Sequence, residues 1–165
     1  MITSDLGRQF IESFEKCKLT AYDDGTGTWT IGIGRIKDVK RGDTCTEEQA
    51  RDWFAEELQE YEKAVSARVK VIINQFQFDA LTSFTYNVGT GALRTSTVLR
   101  KLNEGNFVAA APAFELWNKG TVNGVLQVLP GLTKRRQAER KIFETGLYAM
   151  HDGETVDGHA VGITL

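Results

Sequence analysis

Apolar residues recur at helical spacing over much of this chain, and one early stretch breaks the rhythm. Leu6, Phe10, Ile11 and Phe14 predict a first helix from about Ser4 to Cys17, with one face turned to a core. Residues 18–40 change character. Tyr22-Asp23-Asp24-Gly25-Thr26-Gly27-Thr28-Trp29 mixes turn formers with aromatic and β-branched residues and predicts a hairpin. Trp29-Thr30-Ile31-Gly32-Ile33-Gly34 reads as a strand in which two glycines allow close backbone approach, and Arg35 to Val39 is a candidate third strand. On this pattern residues 18–45 hold the only good β candidate.

Helical signals then dominate. Thr46-Glu47-Glu48-Gln49 is a capping box, and Ala50, Trp53, Phe54, Leu58, Tyr61, Ala64 and Val65 carry a connecting helix over about 46–66. Asn74 opens a helix with Phe78, Leu81, Phe84 and Val88 on one face and Gly89 as its C-cap. A short helix over 97–104 ends at Gly105, and Asn106 is the candidate cap of another through Trp117, in which Pro112 means either a kink or a later start. Residues 118–131 read as a loop. A basic helix over 133–147 closes the folded part, and the tail over 148–165 reads as solvated and of unassigned role. The fold class is α+β and mostly helical: a small β-containing lobe, a connecting helix, and a helical lobe over 70–147. A cleft between lobes is the natural ligand site.

Composition narrows the function classes. With 165 residues, 41% hydrophobic and 25% charged, the chain suits one globular unit and not a disordered one. A net charge of −2 gives no global pull on nucleic acid, and the basic run from Lys134 to Lys141 reads as a solvated helix face. No membrane span and no signal peptide is legible, so the expectation is synthesis in the cytoplasm. Cys17 and Cys45 are too few for a disulfide framework, and Cys17 reads as a small packed residue. His151 and His159 lie in the tail with Asp152, Glu154 and Asp157, where solvent is a plainer destination than a metal. No metal or organic cofactor is expected.

Candidate chemistry gathers at the first helix and the hairpin. Glu15 ends an apolar helix, where the dipole disfavours a carboxylate and favours a proton donor. Asp24 follows in a polar turn, and Thr30 offers a hydroxyl on the next strand. Two carboxyls in unlike surroundings are what glycoside hydrolysis requires. Spacing alone does not decide the matter, because a chain with 22 acidic residues offers other such pairs.

The ordered motifs do more. Glu15, Asp24 and Thr30, followed at once by Ile31-Gly32-Ile33-Gly34, resemble the catalytic signature of phage-type lysozymes, glycoside hydrolase family 24. The run from Phe78 to Gly89, Ser96 to Asn103, Phe114 to Trp117 and Gly131 to Arg140 resemble further motifs of that family in the same order, so the likeness covers about residues 10–146. It implies a lysozyme-like fold and a muramidase that cuts the β-1,4 bond between N-acetylmuramic acid and N-acetylglucosamine. Glu15 would be the general acid, and Asp24 with Thr30 would position water for an inverting displacement. Arg135 falls where the family pairs an arginine with that glutamate; alone it would hold the charged form and oppose an acid role, so burial under substrate must offset it.

Trp29, Ile36, Tyr86 and Asn87 are the implied substrate contacts. Where many relatives have histidine after the glycine strand, this chain has Arg35, an exchange expected to touch local stability more than chemistry. The implied partner is the glycan strand of peptidoglycan, with no nucleic acid. The implied setting is a monomeric endolysin that waits in the host cytoplasm for a holin before reaching the wall. The alternatives are a catalytically retired peptidoglycan-binding module and a lytic transglycosylase.

Overall fold

The computed structural model describes residues 1–23, 25 and 27–163. Helix α1 (Asp5–Phe14) starts where the Ser4 hydroxyl accepts the Gly7 N–H, and it leaves Glu15 at the C-cap. Strands β1 (Cys17–Asp23) and β2 (Trp29–Ile33) form an antiparallel hairpin with an irregularity between Lys18 and Tyr22. That irregularity frees the middle of β1 to pair elsewhere. Cys45 N–H donates to the Leu19 carbonyl and Ala21 N–H to that of Asp43. The expected third strand over 35–39 reduces to one bridge, Ile31 to Arg35. Gly32 and Gly34, at φ +61° and +81°, turn the chain back too sharply for a strand to continue.

Helix α2 (Glu47–Arg68) connects the hairpin to the helical body, and its Thr46/Gln49 capping box is formed on both sides. Helix α3 (Gln75–Val88) opens on the Asn74/Gln77 pair and runs through the middle of the core. Phe76, Phe78, Ala80, Leu81 and Phe84 are all buried there, so the helix is apolar nearly all round. Around it pack α4 (Thr90–Thr95), which has no counterpart in the sequence reading, then α5 (Thr97–Asn103) and α6 (Phe107–Ala113). Pro112 ends the predicted long helix early: Phe114–Trp117 tightens into a single 3-10 turn. Helix α7 (Pro130–Thr145) begins with proline at its first turn, ahead of the predicted Thr133, and stops at Gly146 in the left-handed region.

Three expectations are corrected. Residues 118–131 are not a plain loop: β3 (Lys119–Val122) and β4 (Val125–Val128) form a hairpin about Asn123-Gly124. Asn and Gly at φ 50° and 77° between valines are the standard two-residue turn, a signal that the sequence reading passed over. The folded part also does not close at residue 147. Strands β5 (Leu147–Ala149) and β6 (Thr155–Asp157) form a third hairpin, with Tyr148 and Met150 inside the core. The residues expected to be a solvated tail thus lie on the body. His159 packs on Phe76 and His151 on Phe14, with ring centroids 4.6 and 5.3 Å apart. Finally, Cys17 is exposed and not packed, while both cysteines are free thiols.

Candidate active site

Glu15 enters the site because α1 ends one residue before it, leaving its side chain free of the helix. Its carboxylate meets Arg135 of α7, with Nη1 2.6 Å from Oε1. The arginine side chain is 4% exposed and the glutamate 22%, so one partner is held in the body and the other faces an opening. That opening is a cleft of about 370 Å³ lined by Glu15, Gly34, Ile36, Lys37, Glu57, Glu60, Tyr61, Tyr86 and Asn87. It lies where the end of α1, the segment that follows β2, α2 and the end of α3 converge. The backbone at Gly34 has a φ of +81°, which favours glycine, and a Cβ there would come into contact with Tyr86 Oη at 3.4 Å and Glu15 Oε2 at 3.9 Å.

Tyr86 pins the cleft floor. Its O–H donates to the Ile33 carbonyl at 2.8 Å, and its ring stands edge-on to Phe54 and Tyr61. Burial pushes the phenol well above its ordinary range, and the nearby Glu15 and Glu57 charges push the same way, so it remains a donor at any working pH. Arg35 closes the rim, 2.7 Å from Glu57 and over the face of Trp53. Burial raises the Glu57 carboxyl while Arg35 draws it down. A second hollow of about 290 Å³, lined by Met1, Val65, Val69, Ile72 and Phe78 among others, holds no carboxylate.

The sequence model of the phage lysozyme family matches residues 12–139. The chain belongs to the phage lysozyme family. It is 39% identical over 145 residues to an endolysin of Acyrthosiphon pisum secondary endosymbiont phage 1, covering 88% of this chain and 99% of that one. Its structure is similar to an endolysin from Escherichia coli O157:H7 phage FAHEc1, with TM-score 0.85, 39% identity, and 90% and 96% of the two chains covered. It is also similar to the muramidase domain of SpmX from Asticaccaulis excentricus, with TM-score 0.81, 37% identity, and 86% and 97% covered. The lysozyme-like α+β fold expected from the sequence is thus the fold present, and the family is one of peptidoglycan hydrolases.

Within this family fold, Glu15, Ile36, Tyr86 and Asn87 share the cleft and Arg135 backs it. Ile36 is 60% exposed, free to meet a ligand. Thr30 and Trp29 sit on β2, outside that lining. Thr30 is buried, with Oγ1 3.4 Å from the Thr28 carbonyl, and Trp29 pairs with Asp23 across the hairpin. Asp24 lies outside the described residues. Sequence reasoning missed Glu57, Glu60, Tyr61 and Lys37 as cleft groups. Glu57 and Tyr61 are four apart on α2, and the amphipathic pattern had marked Tyr61 only as a core position.

Among the described residues no helix is long and apolar enough to cross a membrane, and no three metal-capable side chains gather.

Proposed function

We propose that the chain is an endolysin that hydrolyses the β-1,4 bond between N-acetylmuramic acid and N-acetylglucosamine. The observation that carries the reading is Glu15, a carboxylate open to the cleft and anchored by the buried Arg135. A glycosidic oxygen seated above Glu15 receives its proton as the bond to the anomeric carbon breaks. Substrate seated in the cleft covers the 22% exposed carboxylate and excludes water from it.

Asp24 and Thr30 hold the water on the opposite face, and water attack from there inverts the anomeric centre. Ile36, Tyr86 and Asn87 meet the sugars along the cleft, with Trp29 as a further contact at the hairpin. Residues 1–147 and the hairpin after them act as one lysozyme unit. The chain works as a monomer, made in the host cytoplasm and admitted to the wall by a holin.

Glu15→Gln tests the assignment, because it keeps shape and removes the transferable proton. The variant should melt within a few degrees of the wild type and lose at least about a hundredfold of its lytic rate on permeabilised Gram-negative cells, followed by turbidity. Substantial lysis by this variant would show that another group is the acid. Mass spectrometry of the released muropeptides separates chemistries: reducing ends support hydrolysis, whereas anhydro ends would make the protein a transglycosylase.

A further inference from the structure

Behind the cleft lies a charged group that the scheme above does not use. Glu139, on α7, is fully buried. Its Oε1 accepts from three donors: Ser83 Oγ at 2.7 Å, Arg136 Nη2 at 3.0 Å and Arg135 Nε at 3.2 Å. Its other oxygen lies 2.8 Å from Arg136 Nε, at an angle that makes this a charge contact and not a hydrogen bond. Each arginine reaches onward to a different cleft residue. Arg135 Nη1 meets Glu15, and Arg136 Nη2 donates to Asn87 Oδ1 at 2.9 Å.

We propose that Glu139 is a positioning residue that fixes, through Arg135 and Arg136, both the Glu15 carboxylate and the orientation of the Asn87 amide. It touches no substrate. It lies beneath the cleft lining, and its Oε1 is saturated by protein donors.

Three physical points carry the assignment. Burying two guanidiniums with one carboxylate is costly, and an apolar interface between α3 and α7 would serve stability as well, so stability alone does not explain the cluster. Charge is the second point. With Glu139 in place the two arginines and the two glutamates balance; without it, both guanidiniums compete for Glu15. Donor chemistry is the third. A guanidinium only donates, so Arg136 must take the amide oxygen of Asn87. Asn87 then turns its N–H groups toward the cleft, where they can bind an acceptor such as an acetamido carbonyl or a sugar hydroxyl oxygen. Ser83, one turn before Asn87 on α3, locks the arrangement from the other side.

The inference rests on the proposed role of Glu15, and a double-mutant cycle separates the two. On purified sacculi, Glu139→Gln should lower kcat by about tenfold or more while the melting temperature stays close to that of the wild type. That kcat loss should shrink to about twofold or less in an Arg135→Met background, because the effect travels through Arg135. Any rise in KM should likewise disappear in an Asn87→Ala background. If Glu139→Gln does not fold, Ser83→Ala serves in its place: it keeps every charge, removes one hold, and should give a smaller loss with the same dependence on Arg135. A merely structural role predicts multiplicative losses in both backgrounds. That result, or an unchanged kcat in a folded Glu139→Gln, overturns the proposal. Activity surviving in Glu15→Gln would overturn the reading of the acid instead, whatever the cycle gives.

Discussion

Asp79 is a buried carboxyl group outside the cleft lining. Its carboxylate is 1% exposed and accepts from Ser4 N–H at 3.0 Å, Gln75 Nε2 at 2.8 Å and Tyr148 O–H at 2.7 Å, with the Ser4 hydroxyl as a further donor. Burial raises its pKa above the usual 3.8, and the hydrogen bonds pull only part of the way back. A folded value above the unfolded one contributes stability that is complete below 3.8 and is lost as pH rises through the raised value. Asp79→Asn, which cannot titrate, lacks that trend. Its stability deficit against the wild type should therefore be largest near about pH 3 and shrink toward about pH 7, as read by thermal melts across that range. A deficit that grew with pH would mean that the hydrogen bonds outweigh the burial. Glu15 contrasts with Asp79 in having one firm partner and an open side, as its proposed role of proton donor requires.

At the scale of elements, the three hairpins differ in what holds them. The β1–β2 hairpin is tied to residues 43–45 and to α2, and β5–β6 is anchored by Tyr148 and Met150 in the core. The β3–β4 hairpin has neither support: Val122, Val125, Leu126 and Val128 are all exposed. Tyr148 anchors the last hairpin through its ring, which stands against Phe10 and Phe76, and its hydroxyl, which reaches Asp79. Tyr148→Ala should cost about 3–5 kcal/mol, measured by denaturant unfolding. A cost below about 1 kcal/mol would return the segment to the status of a tail. The same hairpin also braces the end of α1. His151 N–H donates to Ser13 Oγ, and its ring packs on Phe14, the residue before Glu15.

For the molecule as a whole, the cleft exists because one helix touches both of its sides. Helix α3 sends Tyr86 to the Ile33 carbonyl of β2 and packs through its other faces on α1, α2 and α7. Burial keeps the phenol protonated, so this link does not weaken with pH over the working range. Tyr86→Phe keeps the ring contacts and removes only the bond, leaving the Ile33 carbonyl without its donor. The expected result is a loss of about 1 kcal/mol, together with faster hydrogen exchange in β2. Exchange unchanged in β2 would show that packing alone joins the hairpin to the body.

What the sequence by itself determined is mostly local. The helix starts at Thr46 and Asn74 form as expected, because each cap needs only residues within one turn. The amphipathic runs predicted α1, α2 and α3 for the same reason, and the ordered family motifs, more than spacing, singled out Glu15. Arg135 was legible only through family likeness, since no periodicity links residues 120 positions apart. Tertiary structure alone decided the rest. It put Glu139 between two arginines, drew the apparent tail into the core, and turned Tyr86 and Asn87 into one cleft while leaving Thr30 off its lining. Those outcomes depend on which way side chains point once distant helices have packed, and sequence spacing carries no record of that.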